Sequence, residues 1–157
     1  MLKKGSLMIY EDLKAKKVLV TGASSGIGAA AAIMFAQQGS VVGVHYNQSK
    51  QGAEKTLAAV KQHSDGVLLQ ADVRDKKQID DMVRRFAEYA GGIDVLVNNA
   101  GTMVKRQSLE TATPQYHDEV YAINVRSIVL VSQAALEYLK KSRGNIINIG
   151  SVGGHTG

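Results

Sequence analysis

Residues 18–28 read VLVTGASSGIG, a short β-branched run that leads into a glycine-rich turn. An Ala-rich apolar segment, Gly26–Gln38, follows at once and has the composition of a helix. The glycines at positions 22, 26 and 28 remove Cβ where the backbone must turn sharply and approach a ligand. The N–H groups at a helix start, together with the positive end of the helix dipole, suit a pyrophosphate. We therefore predict a phosphate-binding loop here, with Gly28 letting the helix pack close to the strand.

The rest of the chain continues the alternation of apolar runs and helical segments. We predict strands at Lys17–Val20, Val41–Tyr46, Val67–Val73, Asp94–Val97 and Asn145–Ile149. We predict helices at Gly26–Gln38, Lys50–His63, Lys76–Ala90 and Pro114–Lys141. The first strands are apolar almost throughout, which is typical of strands covered by helices on both faces. The pattern predicts an α/β fold, a Rossmann-type doubly wound parallel sheet with strand order 3-2-1-4-5.

Local signals mark the helix ends. Ser49 is placed to cap the second helix, and Asp75 with Gln78 resembles a capping box for the third. Pro114 occupies the first turn of the long fourth helix, where its missing N–H costs nothing. That helix carries a stripe at helical spacing, and the polar residue Asn124 falls on it; the stripe is Val120, Ser127, Val131, Ala134 and Tyr138. An extended polar loop, Thr102–Ala112, precedes the helix.

Composition and charge exclude several classes of protein. A length of 157 residues with 45% hydrophobic residues fits one globular domain, which we divide into a basic leader, residues 1–12, and a dinucleotide-binding domain, residues 13–157. Cysteine is absent, which excludes a disulfide scaffold and fits a cytoplasmic protein. No apolar run approaches the ~18 residues of a membrane span. The net charge of +5 is concentrated near the start and aromatics are sparse, so we expect no nucleic-acid partner. The four histidines lack ligand spacing, so no metal is expected.

The end of the second predicted strand bears on the choice of cofactor. None of the residues His45–Gln48 is acidic, whereas a carboxylate there would repel the 2′-phosphate of NADP. Ser49 and Lys50 follow, and they admit that phosphate. Ser25 stands at a loop position where a basic residue could have clasped it. On balance we predict NADP(H), with NAD(H) as the alternative.

Five motifs occur together in order: Thr21–Gly28, Asp72-Val73, Asn98-Asn99-Ala100-Gly101, Asn124, and Ile147–Ser151. From Leu13 to Gly157 the chain thereby resembles the basic type of the short-chain dehydrogenase/reductase family, and in particular its 3-oxoacyl-[acyl-carrier-protein] reductases. The resemblance implies an oxidoreductase that interconverts a carbonyl and a secondary alcohol by hydride transfer. It implies a small-molecule or acyl-carrier-linked substrate and a homo-oligomer, a dimer or tetramer, assembled on the long helix.

The resemblance also assigns roles to single residues. Asp72 would accept a hydrogen bond from the adenine amino group beside Val73, with Tyr46 and Asn47 at the adenosine end. Asn99, Ala100 and Gly101 would line the ribose, and the amides of Asn98 and Asn99 would also tie strand ends together. The cofactor-binding set is completed by the loop residues Gly22, Ser24, Ser25, Gly26, Ile27 and Gly28.

Two residues would serve catalysis. The resemblance has Ser151 hydrogen-bond the substrate carbonyl oxygen, and Asn124 bend its helix and hold a water of the proton relay. The family also needs a Tyr-x-x-x-Lys pair about thirteen positions beyond this Ser, and the sequence stops at Gly157. We therefore expect the chain to be part of a longer polypeptide and the 157 residues alone to be inactive. We also expect the fifth strand to form an uncovered apolar edge of the sheet.

Three alternatives stay open at this point. A sugar or alcohol dehydrogenase of the same family would share these motifs. A non-catalytic dinucleotide-binding module would keep the glycine loop and Asp72 without a proton donor. A hydrolase using Ser151 with His155 is disfavoured, because Ile149 stands where a nucleophile elbow needs glycine.

Overall fold

The computed structural model describes residues 10–151. Five parallel strands form one sheet in the order β3-β2-β1-β4-β5. The strands are β1 (Lys17–Val20), β2 (Val41–Tyr46), β3 (Gly66–Gln70), β4 (Val95–Asn98) and β5 (Asn145–Asn148). The helices are α1 (Gly26–Gln37), α2 (Lys50–Val60), α3 (Lys76–Ala90), α4 (Pro114–Tyr121) and α5 (Ser127–Ser142). The predicted α/β class and strand order are therefore confirmed.

Helices cover both faces of the central strands. On one face, Val18 and Val20 of β1 pack with Ala32 of α1 and with residues of α2. On the other face, Leu19 of β1 packs with Phe86 of α3 and with residues of α5. Because successive strand residues point to opposite faces, a strand covered on both sides must be apolar at nearly every position. This double coverage explains the unbroken apolar runs in the sequence.

The third strand ends earlier than the sequence predicts. We expected Val67–Val73, whereas β3 ends at Gln70. Asp72 turns the chain there, because its Oδ1 accepts a hydrogen bond from the Arg74 amide at 2.9 Å. A local bond from a side chain to the backbone competes with continuation of the strand. The predicted end of α2, at His63, likewise lies three residues beyond the observed end at Val60, and the remaining predicted ends lie within one residue of the observed ones.

Of the two predicted helix caps, Asp75 is confirmed and Ser49 is not, while α4 has a cap that was not predicted. Asp75 accepts hydrogen bonds from the amides of Lys77 and Gln78 at the start of α3, and Thr113 caps α4. Gln78 departs from the capping-box pattern, since its Oε1 accepts the amide of Asp72 at 2.9 Å. Ser49 occupies the N-cap position of α2, but its side chain makes no cap hydrogen bond.

The long fourth helix is interrupted, which corrects the prediction of one continuous helix over Pro114–Lys141. A π-helical turn, Ala122–Arg126, separates α4 from α5. Side chains engage carbonyl groups at this turn: Asn124 Nδ2 donates to the Val120 oxygen at 2.9 Å, and Ser127 Oγ donates to the Ile123 oxygen at 2.5 Å. Such back-bonding distorts a helix locally. The predicted stripe still faces inward, with Ser127 and Val131 buried and its other apolar members half-buried.

The fifth strand is an edge of the sheet, as predicted. Within residues 10–151, β5 pairs with β4 alone, and Ile146 and Ile147 are each 41% exposed although they point to opposite faces. In the same part of the chain, no helix is long and apolar enough to cross a bilayer, and no three His, Asp or Glu side chains converge in a way that could hold a metal.

Candidate dinucleotide site

A cleft of about 600 Å³ lies at the carboxyl ends of the first four strands. Open parallel sheets bind their ligands at this edge. The cleft is lined by residues that were predicted to contact a dinucleotide and that come from four separate segments: Gly22, Ser24, Ser25, Ile27, Tyr46, Asn47, Asp72, Val73, Asn99, Ala100 and Gly101. The two remaining predicted contacts, Gly26 and Gly28, lie in the same loop as the first four. The fold therefore brings the predicted set together.

The loop between β1 and α1 presents main-chain amides with no protein partner. Ser25 is the N-cap residue of α1, yet its side chain makes no cap hydrogen bond. Among the groups of residues 10–151, none accepts a hydrogen bond from the amides of Ser24 to Gly28. Uncapped amides at a helix start combine with the helix dipole to attract an anion. This loop can therefore bind a diphosphate through its backbone.

Gly28 is buried directly beneath that loop. A Cβ at this position would overlap the Gly22 carbonyl oxygen and the Asn99 side-chain amide. The sequence predicts that Gly28 packs against a strand, whereas its observed neighbours are the turn at Gly22 and the segment after β4. Gly28 therefore matters first for the internal packing of the loop.

Thr21 joins the glycine loop to the segment after β4, a role that the sequence analysis missed. Its buried hydroxyl accepts hydrogen bonds from the amides of Asn99 at 2.9 Å and Ala100 at 3.0 Å, and donates to the Val97 oxygen at 3.2 Å. In return, Asn99 Nδ2 donates to the carbonyl oxygens of Thr21 at 2.9 Å and Gly22 at 3.1 Å. The Asn99 side chain thus ties strand ends together, as predicted, while the residue also lines the cleft.

His45 supports the loop from beneath, and the sequence analysis noted there only the lack of an acidic residue. The ring is 1% exposed; Nδ1 accepts a hydrogen bond from the Gly22 amide at 2.9 Å, and Nε2 lies 3.0 Å from the Ala71 oxygen. These two bonds together require the neutral tautomer that carries its proton on Nε2. Burial is the main cause that lowers the pKa of His45, against the raising effects of Ala71 and Asp72. A polar residue inside an apolar strand was the available signal.

Three charged side chains, those of Asp72, Arg74 and Glu119, lie at one end of the cleft. Arg74 donates to both carboxylate oxygens of Asp72 at 2.5–3.0 Å and to Glu119 Oε1 at 3.3 Å. The hydrogen bond from the Arg74 side chain is the largest cause that lowers the pKa of Asp72. Asp72 is therefore an anion at neutral pH that already has a cationic partner. Neither Arg74 nor Glu119 was predicted from the sequence as a residue of the site.

Asn124 lies beside the cleft and not in its lining. Its Oδ1 accepts the Thr102 amide at 3.0 Å, and its Nδ2 donates to the carbonyl oxygens of Thr102 and Val120, each at 2.9 Å. The side chain therefore fastens the loop that follows β4 to the π-helical turn.

Ser151 follows β5 and is exposed, and it is not among the described residues that line the cleft. Its segment is held beside β4, since the Ile149 amide donates to the Asn98 oxygen at 2.9 Å and Asn98 Nδ2 donates to Asn148 Oδ1 at 2.9 Å. The structure thus places Ser151 at the carboxyl edge of the sheet without bringing it into the cleft. His155, the partner in the hydrolase alternative, lies outside the described residues.

A parallel sheet in this order, with an uncapped glycine loop at its carboxyl edge, is the architecture of a dinucleotide-binding domain. The sequence profile described as short chain dehydrogenase matches residues 16–157. The chain therefore belongs to the short chain dehydrogenase family.

Curated relatives support this assignment and differ in the reactions that their names describe. The chain is 38% identical over 141 residues to an uncharacterized oxidoreductase of Methylorubrum extorquens, covering 89% of this chain and 56% of that protein. It is 36% identical over 152 residues to glucose 1-dehydrogenase 2 of Bacillus subtilis, covering 92% and 57%. It is 35% identical over 144 residues to a 3-oxoacyl-[acyl-carrier-protein] reductase of Staphylococcus aureus, covering 90% and 58%. The chain thus spans somewhat more than half the length of these relatives.

Solved structures of similar proteins contain either nucleotide. An NADH-dependent reductase responsible for alginate metabolism, complexed with NAD, superposes with a TM-score of 0.85 at 33% identity, covering 90% of this chain and 62% of that one. A short chain dehydrogenase from Burkholderia cenocepacia, in complex with NADP, superposes with a TM-score of 0.82 at 37% identity, covering 88% and 56%. These neighbours therefore do not indicate which of the two nucleotides this chain prefers, and the preference has to be inferred from its own residues.

Proposed function

We propose that the chain binds a nicotinamide dinucleotide in the cleft and is the cofactor-binding part of an oxidoreductase that interconverts a carbonyl and a secondary alcohol. One observation carries the proposal. The amides of Ser24 to Gly28, at the start of α1, donate to no group within residues 10–151, and Ser24, Ser25 and Ile27 line the cleft. Since the other charged groups of the cleft are one guanidinium and two carboxylates, the backbone is the main source of affinity for a diphosphate there.

In this proposal, different residues of the cleft contact different parts of the dinucleotide. The Ser24–Gly28 amides hold the diphosphate, Asn99 to Gly101 line the ribose, and Asp72 and Val73 lie at the adenosine end with Tyr46 and Asn47. When bound, the nicotinamide supplies or accepts the hydride. The protein binds and orients the ligand through the backbone amides of a loop that His45 supports at Gly22 and that Thr21 joins to the segment after β4.

Two features favour NADP(H), with NAD(H) as the alternative. The residues at the end of β2 that line the cleft, from Tyr46 to Ser49, include no carboxylate that would repel a 2′-phosphate. Ser49 makes no cap hydrogen bond at the start of α2, so its hydroxyl and the helix dipole can favour an anion.

A charge substitution at the end of β2 tests this preference. Gln48→Glu introduces a carboxylate without changing side-chain size, and we expect it to weaken NADP(H) binding about tenfold while NAD(H) affinity changes little. Gln48→Ala is the matched control and should leave the ratio of the two affinities unchanged. Equal effects of Gln48→Glu on both nucleotides would contradict the preference.

For the reaction, we propose that Ser151 donates a hydrogen bond to the substrate carbonyl oxygen and stabilises the charge that develops there. Asn124 fastens the π-helical turn to Thr102, and we propose that this turn holds the water of the proton relay that the family resemblance implies. The reaction further requires the Tyr-x-x-x-Lys pair. We accordingly propose that this chain on its own does not turn over.

The substrate class and the oligomeric state are also proposals. We propose a small-molecule or acyl-carrier-linked carbonyl substrate, with a sugar or alcohol as the alternative. An apolar row on the α4–α5 unit, Tyr121, Val125 and Val129, is 57%, 46% and 52% exposed, which supports a homo-oligomer formed on these helices. The cytoplasmic location stays a prediction from the absence of cysteine.

The reaction is tested in a polypeptide that carries this chain together with the Tyr-x-x-x-Lys pair. Reduction of 3-oxoacyl, sugar and simple ketone substrates should consume NADPH, and Ser151→Ala should lower the turnover number about 10²-fold while the affinity for NADPH stays the same. Wild-type turnover in this variant would remove Ser151 from the mechanism.

A non-catalytic dinucleotide-binding module is the second candidate. It is favoured by the observation that the predicted dinucleotide contacts meet in one cleft whose described lining includes neither Asn124 nor Ser151. Tight NADPH binding by that polypeptide, without reduction of any carbonyl tested, would support this candidate.

A further inference from the structure

His45 is a buried polar residue in an otherwise apolar strand. The sequence of β2 is VVGVHY, and the imidazole ring of its histidine is 1% exposed. A buried polar group lowers stability unless its hydrogen bonds are satisfied. Both ring nitrogens of His45 have partners, and these partners belong to two different segments at the carboxyl edge of the sheet.

One nitrogen of the ring binds the glycine loop. Nδ1 accepts the Gly22 amide at 2.9 Å, and the main-chain oxygen of His45 accepts the Ala23 amide at 2.8 Å. Two consecutive amides of the loop are therefore bound by one residue of the neighbouring strand. The amides that have no acceptor within residues 10–151 begin at the next residue, Ser24.

The other nitrogen of the ring binds the segment after β3. Nε2 donates to the Ala71 oxygen at 3.0 Å, and the Ala71 amide donates to the Tyr46 oxygen at 3.1 Å. Ala71 is fully buried and directly precedes Asp72 and Val73, which line the cleft. Since β2 lies between β1 and β3 in the sheet, the ring of His45 contacts the segments that follow both neighbouring strands.

A rigid planar ring that is bonded at both nitrogens fixes the distance between its two partners. The imidazole of His45 therefore fixes the Gly22 turn relative to Ala71 and the turn at Asp72. In the proposed binding mode, the diphosphate contacts the first of these segments and the adenosine contacts the second. A ligand that contacts two segments at once binds tightly only when their spacing matches its own, and spacing that is set before binding lowers the entropic cost.

We propose that His45 is a positioning residue for the dinucleotide, and that its ring sets the spacing between the diphosphate-binding loop and the adenosine-binding turn. The inference rests on the proposed dinucleotide function and leaves the roles proposed for Asp72 and the loop amides unchanged. A residue that only supported the glycine loop would need the Gly22 bond alone. A spacer needs both bonds, so the loss of either bond should weaken binding nearly as much as the loss of both.

Three substitutions of His45 separate the two bonds. His45→Asn carries a side-chain oxygen as many bonds from Cα as Nδ1, so it can accept the Gly22 amide but is too short to bind Ala71. His45→Gln carries an amide nitrogen as many bonds from Cα as Nε2, so it can donate to the Ala71 oxygen while the Gly22 amide loses its acceptor. His45→Leu removes both bonds.

Dissociation constants for NADPH are measured by calorimetry for the wild-type chain and the three variants. We expect His45→Asn and His45→Gln each to bind about tenfold more weakly, and His45→Leu about twentyfold. Ser40→Ala is the matched control: Ser40 is also fully buried, its Oγ donates to the Leu13 oxygen at 2.7 Å, and neither residue lines the cleft. This control should lower the midpoint of urea unfolding and leave the NADPH affinity unchanged.

Wild-type affinity in His45→Asn would overturn the inference, because the Gly22 bond alone would then suffice. Wild-type affinity in His45→Gln would overturn it as well, and so would losses in these two variants that multiply to the loss in His45→Leu. A loss of affinity in Ser40→Ala that matches its loss of stability would reduce His45 to a structural role. If His45→Leu does not fold, the other two variants decide. A wild-type chain that binds no NADPH contradicts the proposed function itself, which is a separate outcome.

Discussion

The two ends of the carboxyl edge of the sheet differ in how firmly the fold holds their candidate residues. At β1 and β2, the glycine loop is held by part-buried hydrogen bonds, in which Thr21 Oγ1 accepts the Asn99 amide, His45 Nδ1 accepts the Gly22 amide, and Asn99 Nδ2 donates to the Thr21 oxygen. At the end formed by β5, the strand is exposed along its whole length, and Ser151 follows it at the surface. Within residues 10–151, the glycine loop is thus held by several internal hydrogen bonds, whereas Ser151 lies on an exposed segment.

This difference separates binding from chemistry in the chain. Pre-organised amides lose little entropy when a ligand binds. The glycine loop, Gly22–Gly28, called the cradle below, can therefore bind a dinucleotide with the strands and helices described above. Polarisation of a carbonyl needs a donor held in place and shielded from water. Substitutions in the cradle should therefore change stability and affinity, whereas those near β5 should leave both nearly unchanged.

The largest effect is expected for Gly28→Val. Its side chain would overlap the Gly22 carbonyl oxygen and the Asn99 amide, and we expect a loss of about 3 kcal/mol in the free energy of unfolding, measured by urea titration. Gly26→Ala is the comparison variant, because a Cβ there meets no described atom within 4 Å. Since Gly26 has a φ of +57°, it should cost about 1 kcal/mol and weaken dinucleotide binding more than it weakens the fold. Equal stability of the two variants would contradict the packing role of Gly28.

Thr21→Val should follow in size. It keeps the shape of the side chain but leaves the amides of Asn99 and Ala100 without their acceptor, at a cost of about 2 kcal/mol. Thr21→Ser retains the hydroxyl and should restore most of that stability and the dinucleotide affinity. If Thr21→Ser were as unstable as Thr21→Val, the hydroxyl would not be the group that joins the two loops.

His45 should make the cradle sensitive to acid. Burial lowers the pKa of His45 in the folded protein below its ordinary value of 6.5, so below that pH the unfolded chain binds a proton that the folded protein excludes. The free energy of unfolding should then fall as pH falls, by at most about 1.4 kcal/mol per pH unit from this group. His45→Gln should be less stable at pH 7 and should show a shallower slope between about pH 5 and 6.5. An unchanged slope would assign the acid sensitivity to other groups.

Asn124→Ala should have a smaller effect. The variant loses the bonds to the Thr102 amide and carbonyl, which are exposed to water, and we expect a cost of about 1 kcal/mol. Amide hydrogen exchange should increase in the loop from Thr102 to Ala112. Unchanged exchange in that loop would show that other contacts hold it.

The smallest effect is expected for Ser151→Ala. We expect the unfolding free energy to change by less than about 0.5 kcal/mol, because the residue is exposed. Dinucleotide affinity should stay within twofold, in contrast to Gly26→Ala. A large loss of affinity in this variant would place Ser151 in the binding cradle and remove the distinction between the two ends.

The sequence predicts most of this fold because its signals are local. Strands β1 and β2 have the predicted bounds, since their apolar runs end at a glycine turn and at polar residues. The periodic pattern predicts one continuous helix, and only the resemblance placed a bend at Asn124, because the side-chain bonds of Asn124 and Ser127 compete with the helix only once it is formed. The end of β3 was misplaced for the same reason, since Asp72 bonds its own turn.

The candidate site also has one part that the sequence predicts and another part that only the fold reveals. Its glycine loop is recognisable because the residues are contiguous and their spacing has a physical cause. Arg74 and Glu119 are 45 positions apart, and only the fold shows that they meet at 3.3 Å. The bond between His45 and the Gly22 amide likewise joins β2 to the loop after β1, and it can be foreseen only when the pairing of β1 with β2 is known.

The central claim is that the main-chain amides of Ser24 to Gly28 bind the diphosphate. Amide NMR of the ¹⁵N-labelled chain during titration with NADPH tests it most directly. The claim predicts saturable binding in which the largest chemical-shift changes fall on these amides. Saturable binding that leaves them unchanged and shifts amides of another surface would contradict it.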